Sequence, residues 1–201
     1  MREILRLALV LTLITAGSGL ALSLAERATR EPIAEQRRQQ MLQALRAVLP
    51  PFDNAPDADR IDLKLGTDRK GQPLVRSFYR GRSGNEPSGV AFKAVSPEGY
   101  SGNIEVMVGI KPSGEVNAIR ILTHAETPGL GSKIEEGWFL DQFSGKSLDN
   151  ADWRVKKDGG QFDQISGATI SPRAAVKAVR EGLELYRSQK EKILYGQEVG
   201  P

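Results

Sequence analysis

The 201-residue chain contains no cysteine. It can therefore form no disulfide, thiolate zinc site, cysteine-ligated iron–sulfur cluster or thioether-linked haem or flavin. Any redox cofactor must be organic and held in another way. Histidine occurs once, at His124. A multi-histidine metal centre is thereby excluded, and a Ser-His-Asp triad would have to use that one imidazole. No metal site is expected.

An excess of charge of one sign is missing where it would matter. Residues 1–50 hold 7 Lys and Arg against 4 Asp and Glu, whereas residues 51–201 hold 21 of each. The net charge of +3 therefore sits beside the N-terminal apolar run. The remainder has no electrostatic footprint for nucleic acid. Internal repeats and low-complexity tracts are also lacking. With 39% hydrophobic and 26% charged residues, the chain reads as one mid-sized globular core with an added anchor.

From Leu7 to Ala25 there are 19 residues without a charge. As a helix they would span about 28 Å at ~1.5 Å per residue, close to the thickness of a bilayer core. The competing reading is a cleaved signal peptide, with Arg2 and Arg6 as its basic region and Ser23-Leu24-Ala25 as its cleavage site. The run is longer than the usual apolar core of a signal peptide, which favours a retained anchor. Arg2 and Arg6 argue for a cytoplasmic N-terminus, but Arg27, Arg30, Arg37 and Arg38 follow the span. The flanking charges alone do not decide orientation. Met41, Leu42, Leu45, Val48 and Leu49 then recur at helical spacing up to Pro50-Pro51, a stripe expected to dock on the domain.

Between Phe52 and Gly99 turn formers alternate with short strands such as Leu74 to Tyr79 and Val90 to Val95. The β-branched runs Ile104 to Ile110 and Val116 to Leu122, separated by Lys111 to Glu115, predict a hairpin. A helix is expected from Pro172 to Tyr186, with Ala175, Val176, Val179, Leu183 and Tyr186 on one face. Sheet and helices in separate blocks give an α+β domain.

The stretch from Asp163 to Arg173, DQISGATISPR, carries the chemistry. Ser171 before Pro172 reads as an N-cap followed by proline at the first helical position. The free amides of that helix start would point back toward Thr169. Gly167 and Ala168 leave room for a bulky group, and the helix N-terminus favours a phosphate. An ordinary capped helix behind a tight turn fits the same local pattern.

Asp163-x-x-Ser166-Gly167-Ala168-Thr169 resembles the flavinylation motif of the FMN-binding domain family. In that family a flavin transferase moves FMN from FAD onto the last threonine as a phosphoester. The resemblance implies Thr169 as the attachment residue, Ser166, Gly167, Ala168 and Ser171 around it, and Asp163 as part of what the transferase recognises. A second block, His124-Ala-Glu126-Thr127-Pro128-Gly129-Leu130-Gly131, resembles the flavin-pocket loop of the G subunits of Rnf-type (Rsx) ion-translocating electron-transport complexes. It also resembles the related C subunits of sodium-pumping NADH:quinone oxidoreductase. The likeness extends to the single anchor, to Leu49 to Asn54, to Gly99 to Ile104 and to Lys157 to Asp163, and favours the Rnf-type G subunits.

This resemblance implies an electron-transfer subunit with covalent FMN, linked to ferredoxin and NAD, and partnered by other subunits and a flavin transferase. It places the chain in the bacterial inner membrane as a single-pass protein with a periplasmic C-terminal domain. The expected division is a cytoplasmic N-terminus at 1–6, a transmembrane helix at 7–25, a membrane-proximal helical segment at 26–51 and an extracytoplasmic domain at 52–201. No residue is expected to act as acid, base or nucleophile in turnover. The turn made by Pro128 with Gly129 and Gly131 is expected to bring backbone N–H groups against the flat ring, with Leu130 in the same loop. Glu126 and Thr127 would offer hydrogen bonds to the ring's polar edge.

Three weaker patterns point elsewhere. Gly129-Leu-Gly131-Ser-Lys-Ile134 has isoleucine in place of the third glycine of a dinucleotide fingerprint and no surrounding βαβ unit. Ser144-Gly145-Lys146-Ser147 has the end of a P-loop without its first glycine, so a turn is expected. His124 is expected beside the pocket, held by backbone hydrogen bonds, and Trp138 and Trp153 are expected in the core. Two other functions stay open on sequence alone: an anchored, non-redox ligand-binding or sensor module, and a covalent-FMN subunit of a different respiratory reductase.

Overall fold

The first helix, α1 (Arg2–Val48), crosses the boundary between two structural units, residues 1–42 and the unit that begins at Gln43. The computed structural model describes residues 1–67 and 71–196. Within the first unit, Leu7, Leu11, Leu13, Ile14 and Leu20 are all exposed. The hydroxyls of Thr12 and Thr15 donate back to the carbonyls of Ala8 and Leu11 at 2.8 and 2.9 Å. Their polarity is thus satisfied inside the helix, as a segment in hydrocarbon requires. Among the described residues, α1 is the one helix long and apolar enough to cross a membrane. The expected span and the membrane-proximal segment are one helical element, with Pro32 inside it. That element ends before Pro50-Pro51, where a residue preceding proline is pushed out of helical geometry.

The second unit begins nine residues before the expected domain start at Phe52. Leu45, Val48 and Leu49 of the expected stripe are buried within it. The expected end of the domain, residues 197–201, and the connection at 68–70 lie outside the described residues. Among those described, five strands form an antiparallel meander in chain order. They are β1 (Arg60–Thr67), β2 (Pro73–Ser83), β3 (Glu86–Ser96), β4 (Ile104–Ile110) and β5 (Val116–Thr123). The register lines up Ile61, Phe78, Phe92, Val108 and Ile119 in one row across the sheet. Because side chains alternate along each strand, this row and its neighbours two residues away make one continuous apolar face.

Residues 124–169 contain only short helical turns, among them α2 (Gly137–Leu140). An aromatic cluster holds them. The rings of Phe143 and Phe162 lie 4.8 Å apart and those of Trp153 and Phe162 5.1 Å apart. Trp153 is in the core as expected, whereas Trp138 is not. It is 45% exposed, with its indole N–H donating to the Glu136 carboxylate.

Helix α3 (Ile170–Ser188) covers the apolar face of the sheet, and a short α4 (Lys190–Tyr195) follows it. The buried side of α3 includes Ala175, Val176, Val179, Leu183 and Tyr186, the five positions read from the sequence. At Gly182 a Cβ would lie 2.1 Å from the Phe92 ring, so this crossing depends on a missing side chain. Tyr186 closes the far end, its hydroxyl donating to the Pro112 carbonyl at 3.0 Å. Residues 48–52 cross the opposite face of the sheet, where the Asn117 amide donates to the Val48 carbonyl at 2.8 Å.

Asp59 ties the start of β1 to β2, accepting from Arg80 Nε at 2.7 Å and from Arg82 Nε at 2.6 Å. Burial alone would raise its pKa. The hydrogen bonds and charges of Arg82 and Arg80 outweigh that and hold it below the usual carboxylate range. The resulting stability is present above the unfolded-state pKa of about 4 and is lost as pH falls through the lower folded value. We therefore expect Asp59→Asn to lower Tm at neutral pH, with the gap from the parent closing in thermal melts below about pH 4. For Gly182→Ala, the helix-propensity gain of about 1 kcal/mol is opposed by overpacking against Phe92, which costs typically about 1–3 kcal/mol. Urea melts should show a net loss, and a net gain would mean the α3 crossing can relax.

Candidate functional site

Two glycine turns face each other at the end of the sheet nearest the start of α3. In the first, Thr127-Pro128-Gly129-Leu130, the Leu130 and Ser132 amides both donate to the Thr127 carbonyl, at 3.1 and 3.2 Å. Proline at the second position and a φ of +74° at Gly129 are what such a turn demands. In the second, Ile165-Ser166-Gly167-Ala168, the Ala168 amide donates to the Ile165 carbonyl at 3.0 Å and Gly167 has φ +80°. The turns nearly touch: a Cβ on Gly167 would lie 3.5 Å from Leu130 Cδ2.

Between them lies a cavity of about 370 Å³, within the size range of small-molecule sites. From the two turns and α3 it is lined by Glu126, Thr127, Leu130, Gly131, Gly167, Ala168, Thr169 and Ser171. Tyr100 and Ile170 complete the wall. Eight of the twelve residues singled out in the sequence are thus brought together across 45 positions of chain. Four are not. Ser166, Pro128 and Gly129 sit in the turns outside the lining. Asp163 stands apart, ion-paired to Lys156 at 2.5 Å, with its amide donating to Gln142.

Several expected roles need correction. Ser171 is not the helix cap. The helix starts at Ile170, Thr169 occupies the cap position with φ −72° and ψ −26°, and Pro172 falls third in the first turn. Proline is tolerated there because that amide would have no partner within the helix. Ser171 is 1% exposed and its hydroxyl donates to Glu126 Oε2. Glu126, 4% exposed, also accepts from the Ser101 amide at 3.1 Å through Oε1. Both carboxylate oxygens are therefore already engaged by the protein, while Glu126 remains part of the cavity wall. Gly129 serves its turn, since a Cβ there would meet nothing within 4 Å. The close approach belongs to Gly131, where a Cβ would lie 2.5 Å from Ser171 Oγ and 2.7 Å from Glu126 Oε2. Arg173 forms a two-pronged ion pair with Asp158 at 2.5 Å.

His124 behaves as expected. Its Nδ1 accepts the Glu126 amide at 3.0 Å, which leaves Nε2 to carry the proton toward Glu135 Oε1 at 3.1 Å. The P-loop-like Ser144 to Ser147 is a turn, with Gly145 at φ +74° and its amide donating to Val116. The Gly129 to Ile134 pattern runs into a 3-10 turn (Gly131–Glu135) beside an antiparallel sheet, which is no dinucleotide fold.

The donor set fits a phosphorylated aromatic group. The Ile170 and Ser171 amides lack partners within the helix and carry the positive end of a 19-residue α3. Thr169 supplies a hydroxyl at that point, and Tyr100, Leu130 and Ile170 supply exposed apolar surface. Tyr100 was missed as a pocket residue, although it lies in the Gly99 to Ile104 stretch and is 70% exposed.

A family model described as FMN-binding domain matches residues 99–184, which include every residue of the cavity wall. The G subunit of the ion-translocating oxidoreductase complex of Aliivibrio fischeri is 39% identical over 192 residues, covering 92% of this chain and 91% of its own length. That of Pseudomonas aeruginosa is 40% identical over 205 residues, covering 98% and 95%. Two solved structures share the fold. The C subunit of the Na(+)-translocating NADH-quinone reductase of Parabacteroides distasonis has a TM-score of 0.52 at 17% identity, covering 77% of this chain and 91% of that one. NqrC of Shewanella oneidensis has a TM-score of 0.50 at 18% identity, covering 74% and 72%.

Gly131 and Gly129 should respond differently to a methyl group. Gly131→Ala forces apart the Ser171 and Glu126 side chains, and denaturant melts should show a loss of roughly 1–3 kcal/mol. Gly129→Ala meets no atom and should cost only about 1 kcal/mol of backbone strain. Equal losses would mean that the Glu126 contact gives way freely.

Proposed function

The chain belongs to the family of G subunits of ion-translocating oxidoreductase complexes, and from that premise we propose that Thr169 carries FMN through a phosphoester. In this reading the FMN domain lies on the extracytoplasmic side of the inner membrane, anchored by α1 as a single span. It relays electrons among the other subunits of a complex that couples ferredoxin and NAD oxidoreduction to ion transport. A flavin transferase installs the cofactor once, recognising Asp163, whose side chain is accessible beside Lys156.

The observation that carries the reading is the position of Thr169. It lines the cavity and is at the same time the cap of α3. A phosphate on that hydroxyl would face the free first-turn amides and the positive helix end, which stabilise a negative group. When bound, FMN supplies the acceptance and release of electrons. The protein's residues bind and orient. Ile170 and Ser171 present amides, and Gly167 and Ala168 keep the wall low beside the attachment point. Leu130, Ile170 and Tyr100 offer apolar surface to a flat ring. No side chain is required as acid, base or nucleophile during turnover. The anchored sensor reading gives the threonine at the helix cap no role, so the redox reading is preferred.

Thr169→Ala, co-expressed with the transferase, should fold and insert but lose the mass increment of one FMN. Thr169→Ser should retain it at least in part. Acid-stable flavin on the alanine variant would refute the site. For sidedness, a reporter active only outside the cytoplasm, fused after Pro201, should be active. Activity of a cytoplasm-only reporter at the same point would reverse the orientation.

A further inference from the structure

Glu126 is a buried carboxylate in the wall of the Thr169 cavity, and binding of FMN at Thr169 gives it no task. Its two oxygens accept from the Ser101 amide and the Ser171 hydroxyl. Both partners are donors, the arrangement of an ionised carboxylate. Among the described residues no lysine or arginine is shown ion-paired with it, and the Glu126 backbone amide donates to His124 Nδ1. Burying a charge without a cation is unfavourable. Geometry alone does not require one here. A glutamine would accept from Ser101 through its oxygen and donate to Ser171 Oγ through its nitrogen, holding the same three segments together. The distinguishing property of Glu126 is its charge.

Resting on the FMN reading above, we propose that Glu126 is a redox-tuning residue: the fixed negative charge in the cavity wall lowers the reduction potential of the bound flavin. Reduction adds electrons to the ring system, and any electron not matched by a proton adds negative charge. A carboxylate held in the low-dielectric wall opposes that added charge more than an exposed one would. No atom or proton is exchanged with Glu126, so the effect is electrostatic throughout. Gly131 leaves the space in which the pair sits, since any larger residue would displace both side chains.

The test is a spectroelectrochemical titration of the full-length chain loaded by the co-expressed transferase, with intact mass measured on each sample. Glu126→Gln keeps both hydrogen-bond positions and removes the charge, so its midpoint should shift to a more positive potential with the FMN mass retained. Ser171→Ala removes the hydroxyl and keeps the charge, so its midpoint should stay closer to the parent's. An unchanged midpoint in Glu126→Gln, or equal shifts in the two variants, would overturn the proposal and show that the pair only holds the loops. If Glu126→Gln does not take up FMN, Ser171→Ala decides. A midpoint near the parent's supports the charge, and a strongly positive shift refutes it. Absence of FMN from the parent chain itself would instead overturn the function on which the proposal rests.

Discussion

The hydrogen bonds that the Glu126 carboxylate accepts from the Ser101 amide and the Ser171 hydroxyl tie together three segments far apart in sequence. They are the connection between β3 and β4, the loop after β5, and the first turn of α3. Two of the three are loops and the third is the free end of a helix, so nothing in the sheet ladder fixes their separation. A buried carboxylate with both oxygens satisfied does so, because releasing either donor would leave a buried carboxylate oxygen without its partner. The cavity, the first-turn amides without partners in the helix and the setting of Thr169 follow from that join.

The scaffold beneath the join is a meander sheet with one helix laid across it. The apolar row from Ile61 to Ile119 gives α3 a continuous surface. The contact at Gly182 lets the helix come close enough to Phe92 that its axis is fixed. A helix held so firmly delivers its N-terminus to one place, and that place is where the two glycine turns meet. The electrostatics are accordingly mixed. The helix end favours an anion, while Glu126 brings a second negative group to the same turn. A phosphate and a carboxylate can share this terminus because they use different parts of it: Glu126 takes the Ser171 side chain, and the backbone amides remain for the phosphate.

Much of this was legible in the residues themselves. Alternating β-branched runs located β4 and β5, and the spacing of Ala175, Val176, Val179, Leu183 and Tyr186 located the buried side of α3. The two glycine-containing motifs named most of the cavity wall. The misses have specific causes. Strand β1 alternates Ile61, Leu63 and Leu65 with polar residues, but it is an edge strand in which only Leu63 is buried, so its pattern was lost among turn formers. Ser171-Pro172 imitates a cap, yet the helix begins at Ile170 and the serine hydroxyl is turned inward to Glu126, a partner 45 residues away that no local pattern shows. Gly129 and Gly131 look alike in sequence, and only their surroundings separate the turn-former from the residue that makes room. Tyr100 escaped because an aromatic in a short polar loop carries no periodic signal.

Thr169 is the point where a phosphate-linked flavin would meet the start of α3, and the electron-transfer role depends on that junction. Fragmentation mass spectrometry of the full-length chain, purified from membranes of cells that contain the flavin transferase, tests it most directly. One FMN phosphoryl increment should be localised to Thr169, with Ser166, Ser171 and Thr127 unmodified. An unmodified chain, or an increment on any of those three residues, would contradict this assignment.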